Sequence, residues 1–282
     1  MENNEEVKID AEYIKVEGQM DLTVVLPIKT ISAKRFDELF DAAIKSVRNQ
    51  LVSCSELIIV HTDETPLVEF LKSYDFLNLN VRLLEWVNEP NFAEQVNYGV
   101  NKAETKWISI LEFDDEYSSI WFKNVKKYSE IYTDVDIFLP IVVDIDDKGV
   151  FAGFTNEATF AANFSQEIGI LTNDTLQQYQ NFQSSGMVFK KSLFEKFGGV
   201  KSNIKLTFIY EMFLRYTHNS VKIMTIPRIG YKHANMREGS IFWQHKFGTE
   251  KLSENEVRFW IQTAKQEYFF TEERAINYEQ VN

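Results

Sequence analysis

The chain has 282 residues, 44% of them apolar and 14% aromatic, and a formal net charge of −12. That length and apolar content support a substantial buried core and exclude a disordered chain, while the acidic balance argues against a protein that grips nucleic acid through its phosphates. The single cysteine, Cys54, excludes an internal disulfide framework and any multi-cysteine metal site, and it fits a reducing compartment.

Residues 1–20 are polar, start on an acidic stretch without the apolar core of a leader peptide, and read as an arm or edge strand. No run is long enough to span a bilayer, so a soluble, cytoplasmic protein is expected. From 22 to 27 the chain reads as a buried strand ended by Pro27. Apolar side chains at Phe36, Leu39, Phe40, Ala43, Ile44 and Val47 then form one stripe of a helix over 35–50. A strand over 56–60 leads into His61-Thr62-Asp63-Glu64-Thr65-Pro66, where Thr65 can cap a helix that carries Pro66 in its first turn. A third strand, 81–84, precedes a helix marked by Phe92, Val96, Val100 and Ala103, with Gly99 permitting close packing. The apolar run 107–111 is a fourth strand. Strand and helix alternate with short links, the pattern of a parallel, right-handed βαβ sheet.

Downstream, the spacing predicts a helix over 120–132 and a strand over 137–143. A hairpin turn at Asp146-Asp147-Lys148-Gly149 leads into a strand over 150–154. The Gln-rich stretch 163–182 lacks a clear period and reads as loop around a short helix. A strand at 185–189, a helix at 191–197 stopped by Gly198-Gly199, a helix at 206–217, and strands at 221–226 and 229–233 follow. A Ser253-x-x-Glu256 capping box opens a final helix. The expected organisation is a polar segment over 1–20, one α/β domain over 21–240 and a C-terminal helical extension over 241–282.

The fourth strand runs into Glu112-Phe113-Asp114-Asp115-Glu116, four carboxylates in five residues. These repel one another unless something positive sits among them, and in open α/β sheets the carboxyl ends of the strands are where ligands bind. A solvated acidic turn would explain an isolated D-D-E. A buried strand leading straight into the acids favours a divalent cation held by oxygen ligands. Residues two apart on an extended segment point the same way, which selects Glu112 and Asp114 as the pair able to share one Mn²⁺ or Mg²⁺ ion. Asp115 falls on the other side.

Helix, strand and acids together resemble the central block of family-2 glycosyltransferases. There an N-x-G-x-x-x-A helix, here Asn97, Gly99 and Ala103, precedes a strand ending in a D-x-D-D motif. The resemblance covers about 22–240 and departs at Glu112, which stands where the motif begins with Asp. It implies a GT-A fold, an α/β Rossmann-like, mostly parallel central sheet flanked by helices. It also implies transfer of a sugar from a nucleotide-diphospho-sugar to a hydroxyl of a glycan or other acceptor, with inversion and a divalent metal. By the same resemblance Asp115 lies near the donor, as does Asn97. Pro27 and Thr30 match the ends of a P-x-x-N nucleotide motif, with Thr in place of Asn. His61 stands on the first Asp of V-D-D-G-S, with Asp63 two residues later; each is equally a loop histidine and a turn acceptor.

The family's base motif, E-D-x-D-x-x-x-R, aligns with Phe208 and Ile209 on its E-D pair, and neither takes a proton. Glu211 corresponds to the later Asp. It is either a displaced general base or half of an ordinary i,i+4 pair with Arg215. Gly230-Tyr231-Lys232-His233-x-Asn235-x-Arg237-x-x-Ser240 is similar to the family's Y-R-x-H-x-x-S segment. That implies His233 as a further metal ligand, with Lys232 and Arg237 offsetting phosphate charge. The expected activity is an inverting, metal-dependent glycosyltransferase. The missing E-D pair makes a degenerate, non-catalytic binding module the alternative. A sugar-phosphate nucleotidyltransferase is disfavoured because 27–36 holds no glycine to cradle a triphosphate. The aromatic stretch 241–270 reads as a helix packed on the core. An acceptor-side lid or a peripheral membrane contact is the other reading, disfavoured by the absence of a basic face. Nothing in the sequence fixes an oligomeric state.

Overall fold

The computed structural model describes residues 17–146, 148–235 and 237–276, so most of the polar segment expected over 1–20 lies outside it. In chain order the first half contains β1 (Leu22–Ile28), α1 (Phe36–Arg48), β2 (Glu56–Thr62), α2 (Thr65–Ser73), β3 (Val81–Trp86), α3 (Phe92–Lys102), β4 (Trp107–Ile110), β5 (Glu116–Tyr117) and α4 (Trp121–Ile131). The second half contains β6 (Ile137–Ile145), β7 (Phe151–Thr155), a 3₁₀ turn (Glu157–Phe160), β8 (Ile170–Leu171), α5 (Asn173–Gln178), β9 (Val188–Lys190), α6 (Ser192–Phe197), α7 (Phe208–His218), β10 (Ile223–Ala234), α8 (Ile241–Lys246) and α9 (Glu254–Glu267).

The strands form one sheet in the order β3-β2-β1-β4-β9-β6-β10-β5, with β7 on β6 and β8 on β10. The expected α/β architecture is present. β1 to β4 run parallel, as do β6 and β10, and the short strands β5, β7, β8 and β9 run antiparallel to their neighbours. Successive strand residues point to opposite faces, and the core divides accordingly. Leu22, Val24, Leu26 and Ile28 of β1 join Leu57 and Ile59 of β2 in a cluster with α1, α2 and α4. Val25, Ile58 and Val60 face the other way, into α3, α6, α7 and α9.

Gly99 sets how closely α3 approaches the sheet. A Cβ at that position would lie 2.5 Å from Val25 Cγ1 and 3.0 Å from Val60 Cγ2. The helix starts at Asn91, whose side chain accepts a hydrogen bond from Glu94 N–H. Gln95 of α3 is buried and donates to the carbonyls of Ile28 (3.1 Å) and Val60 (3.3 Å), tying down the ends of β1 and β2.

Some expectations change. The two strands expected at 221–226 and 229–233 are one strand, β10, with register shifts between Thr225 and Tyr231. Pro227 lies in that interval and has no N–H for the ladder, so the strand bulges there instead of ending. Thr65 is not a cap: the residue before α2 is Glu64, whose carboxylate accepts from Ile31 N–H across the loops. The capping box of α9 forms with both of its hydrogen bonds. Trp260 of α9 is buried, and Thr207 Oγ1 donates to its carbonyl (2.7 Å), so this helix packs on the sheet's α7 side. Among the described residues no helix is long and apolar enough to cross a membrane.

Candidate active site

Leu111 N–H still bonds to Val25 O beside β1, but the strand geometry of β4 ends at Ile110. The acids that follow make a turn, closed by Asp115 N–H donating to Glu112 O (3.2 Å). A turn brings residues three apart together, where a strand would have aligned residues two apart. The grouping of Glu112 with Asp114 is therefore corrected: Glu112, Asp115 and His233 come together, each with a ligand atom within 4.8 Å of the others. His233 stands near the end of β10, with Nδ1 3.0 Å from Asp115 Oδ2, and Ala234 N–H donates to Asp115 Oδ1 (2.8 Å). Asp115 thus aims the imidazole and anchors the strand that carries it.

Asp114 is engaged by Arg237, whose guanidinium lies 4.7 Å from the centroid of the Phe113 ring. Lys232, expected near phosphate, pairs with Glu116 across the β5–β10 ladder. Tyr231, which the sequence likeness includes without a role, is buried beneath the turn and accepts from Glu112 N–H (3.3 Å). Gly186 makes room for it. At φ 72° a Cβ there would lie 2.5 Å from the tyrosine ring.

The turn carries more negative charge than its surroundings offset. Burial, then the charges of Asp115 and Asp114, push the Glu112 carboxyl up to about 8. Asp114 is raised by burial and by Asp115, against the pull of Arg237. Burial alone would lower His233, but the charge and hydrogen bond of Asp115, with Glu112 and Asp144 behind them, hold it up at about 10. A divalent cation among these groups would offset the charge that raises Glu112 and Asp114. Two carboxylates and an imidazole make a donor set that suits Mn²⁺, and Mg²⁺ with water completing its shell.

On the β1–β2 side the loops are fastened together. Thr62 Oγ1 donates to Lys29 O (3.0 Å), and Glu64 holds Ile31 N–H (3.0 Å). Pro27 is buried within β1. Thr30 is half-buried, with Oγ1 2.6 Å from Ser32 Oγ. His61 is buried opposite Ile28 in the ladder, Nδ1 2.8 Å from Thr62 O, and Asp63 is exposed.

Two assignments are overturned. Asn97 does not face this cleft. Its amide clasps the backbone of Val200, donating to the carbonyl (2.7 Å) and accepting from the N–H (2.9 Å), so it fastens α3 to the segment after α6. Glu211 is fully buried. Its carboxylate meets Lys201 Nζ at 3.0 Å, Arg215 Nε at 2.9 Å and Arg215 Nη2 at 3.0 Å. Arg215 also holds the carbonyls of Phe197, Gly198 and Gly199, and Lys201 those of Glu267 and Phe270. A carboxylate saturated by two cations inside the α7 packing layer cannot meet an acceptor hydroxyl, so Glu211 is not the general base.

A further carboxylate, Asp144, was missed. It lies at the end of β6, opposite His233 in the parallel ladder, and is nearly buried. Its signal matches that of the acidic turn, an acid closing an apolar strand (Ile-Phe-Leu-Pro-Ile-Val-Val-Asp).

The sequence is matched by the model of glycosyl transferase family 2 over residues 33–198. No curated protein matches it. Among solved structures the fold is similar to S. aureus TarS 1-349 in complex with UDP-GlcNAc (12% identity, TM-score 0.61, 87% of this chain and 65% of that one). The same protein in complex with UDP gives 12% identity and a TM-score of 0.56, over 87% of this chain and 64% of that one. This chain thus spans less than two thirds of those structures. At such identity the likeness establishes the fold alone. The family match covers more than half of the sequence, and the chain belongs to glycosyl transferase family 2.

Proposed function

We propose that the chain transfers a sugar, with inversion, from a nucleotide-diphospho-sugar to an acceptor hydroxyl. Glu112, Asp115 and His233 would hold Mn²⁺ or Mg²⁺. When bound, the cation would neutralise the diphosphate leaving group as a Lewis acid. The observation that carries this reading is the convergence of those three side chains at the carboxyl edge of β4, beside the edge formed by β1 and β2.

The protein's own residues have distinct tasks in it. The cross-tied loops around Thr30 and His61 form the nucleotide edge, with Asp63 exposed beside them. Asp115 fixes the orientation of His233. Arg237, held over Phe113, presents a planar donor set suited to phosphate oxygens, and Lys232 lies farther along the same strand end. Residues 21–240 form the transferase unit and 241–282 an extension on it. The lone, buried Cys54 fits a cytoplasmic setting.

The TarS structures hold UDP and UDP-GlcNAc, which makes uridine nucleotides the first donors to test. The competing reading, a non-catalytic binding module, draws on Phe208 and Ile209 in place of the family's acids and on Glu211 locked in an ion network. A thermal-shift panel of nucleotide sugars with and without Mn²⁺, followed by assay of nucleoside diphosphate release, separates the two. Donor at 100 times its dissociation constant should add about 2.7 kcal/mol of stability, and only with the cation present. Binding without release supports the module; no binding with any donor contradicts both.

A further inference from the structure

The family's base positions hold Phe208 and Ile209, and Glu211 is sealed away, so the transferase proposed above needs another proton acceptor. The carboxylates around the acidic turn are nearly all committed. Glu112 and Asp115 belong to the group with His233, Asp114 is held by Arg237, and Glu116 by Lys232. Asp144 differs. Among the described residues no Lys or Arg reaches it; it is 6% exposed and its hydrogen-bond partners are neutral. Thr155 Oγ1 donates to Oδ2 at 2.6 Å, and Gln183 Nε2 donates to Oδ1 at 3.2 Å.

That arrangement is rigidly supported. Asn156, 1% exposed, donates to Pro140 O (3.0 Å) and Gln183 O (3.1 Å) and accepts from Gln183 N–H (2.9 Å). Gln183 is thereby locked to β6 and to the end of β7. An ionised carboxylate only accepts hydrogen bonds, so the amide nitrogen of Gln183 must face Asp144. Its Oε1 is then left buried with no partner among the described residues. A buried acceptor without a donor is costly for a chain to keep.

Position adds the second argument. Reading across the sheet, β2 and β1 carry the nucleotide edge, β4 carries the acidic turn, and β6 and β10 lie on the far side. Asp144 pairs in register with His233 on that far side, across the acidic turn from the edge formed by β1 and β2.

We propose that Asp144 is the general base of the transfer, held by Thr155 and Gln183. This rests on the transferase reading. The acceptor oxygen forms its bond to the anomeric carbon while the bond from that carbon to the diphosphate oxygen breaks. The electron pair leaves with the nucleoside diphosphate, and the hydroxyl proton passes to an Asp144 oxygen.

The test measures nucleoside diphosphate release from UDP-GlcNAc, UDP-glucose and GDP-mannose in Mn²⁺, with water as acceptor and again with sodium azide. Azide attacks without a proton to lose. Asp144→Asn and Asp144→Ala should slow release to water by about 10²-fold or more while donor binding stays within about threefold of the parent. Azide should restore the alanine variant and yield a glycosyl azide. Release within about threefold of the parent, or a slow variant that azide leaves slow, overturns the assignment. Should neither Asp144 variant fold, Thr155→Val decides. Slower release to water with an unchanged azide reaction supports the base, and equal loss of both overturns it. A parent that releases no nucleotide from any of the three donors counts against the transferase reading itself; an active parent with unaffected variants removes Asp144 alone.

Discussion

Replacing Glu211 by Gln separates a structural ion network from a catalytic base. The carboxylate is fully buried and, among the described residues, is the only anion bonded to Lys201 and Arg215, which are 2% and 0% exposed. Neutralising it leaves two cations without a counter-charge, and breaking a buried pair this way costs about 3–5 kcal/mol. Both cations keep backbone carbonyls, and the amide retains one acceptor oxygen, so the lower end applies, about 3 kcal/mol. For a chain of this size each kcal/mol moves the melting temperature by about 2–4 °C, which gives a drop of about 6–12 °C. Lys201 also clasps the carbonyls of Glu267 and Phe270, so the loss should loosen the segment after α9 first. Calorimetry gives the melting temperature, and nucleotide release at 20 °C gives turnover per folded molecule. The expected result is a less stable protein with unchanged turnover. A variant that melts with the parent but turns over about 10²-fold more slowly would refute this and return Glu211 to the chemistry.

Asp115→Asn and His233→Ala should each abolish stabilisation by Mn²⁺ in a thermal shift, and a shift equal to the parent's would remove that residue from the cation site. Mn²⁺ affinity should rise with pH, because Glu112, raised to about 8, and His233, raised to about 10, must shed protons to bind a cation. Calorimetric titration between pH 6 and 8.5 in two buffers should show proton release on binding, and affinity independent of pH would contradict the assignment. Gly99→Ala would put a Cβ 2.5 Å from Val25 Cγ1 and should cost about 1–3 kcal/mol in urea unfolding. Unchanged stability would mean that α3 rides higher on the sheet than described.

Where the sequence was legible, its determinants were local. The block from α3 to the acidic turn could be read because the helical stripe, the apolar run and the acids follow one another directly. The pairing of acids within that turn could not, because alternation holds only while the chain stays extended, and the strand ends at Ile110. β5 and β8 are two residues each and exist only through pairing with β10, so no local pattern marks them. The four-residue spacing of Glu211 and Arg215 is the same for a surface pair and a buried one. Only the fold shows Lys201 arriving at the same carboxylate. Asn97 bonds to a residue 103 positions away, a contact that no window of sequence contains. Asp144 did carry a local signal, the acid closing a buried strand, and its partners Thr155 and Gln183 become visible only once β7 folds back on β6.

The most direct test of the account is anomalous diffraction at the manganese edge from crystals grown with MnCl₂ and UDP. One strong peak is expected, bounded by Glu112, Asp115 and His233, with the diphosphate against it and the uridine toward the β1–β2 edge. A peak on Asp114 with Arg237 displaced, or UDP bound away from the acidic turn, would contradict it.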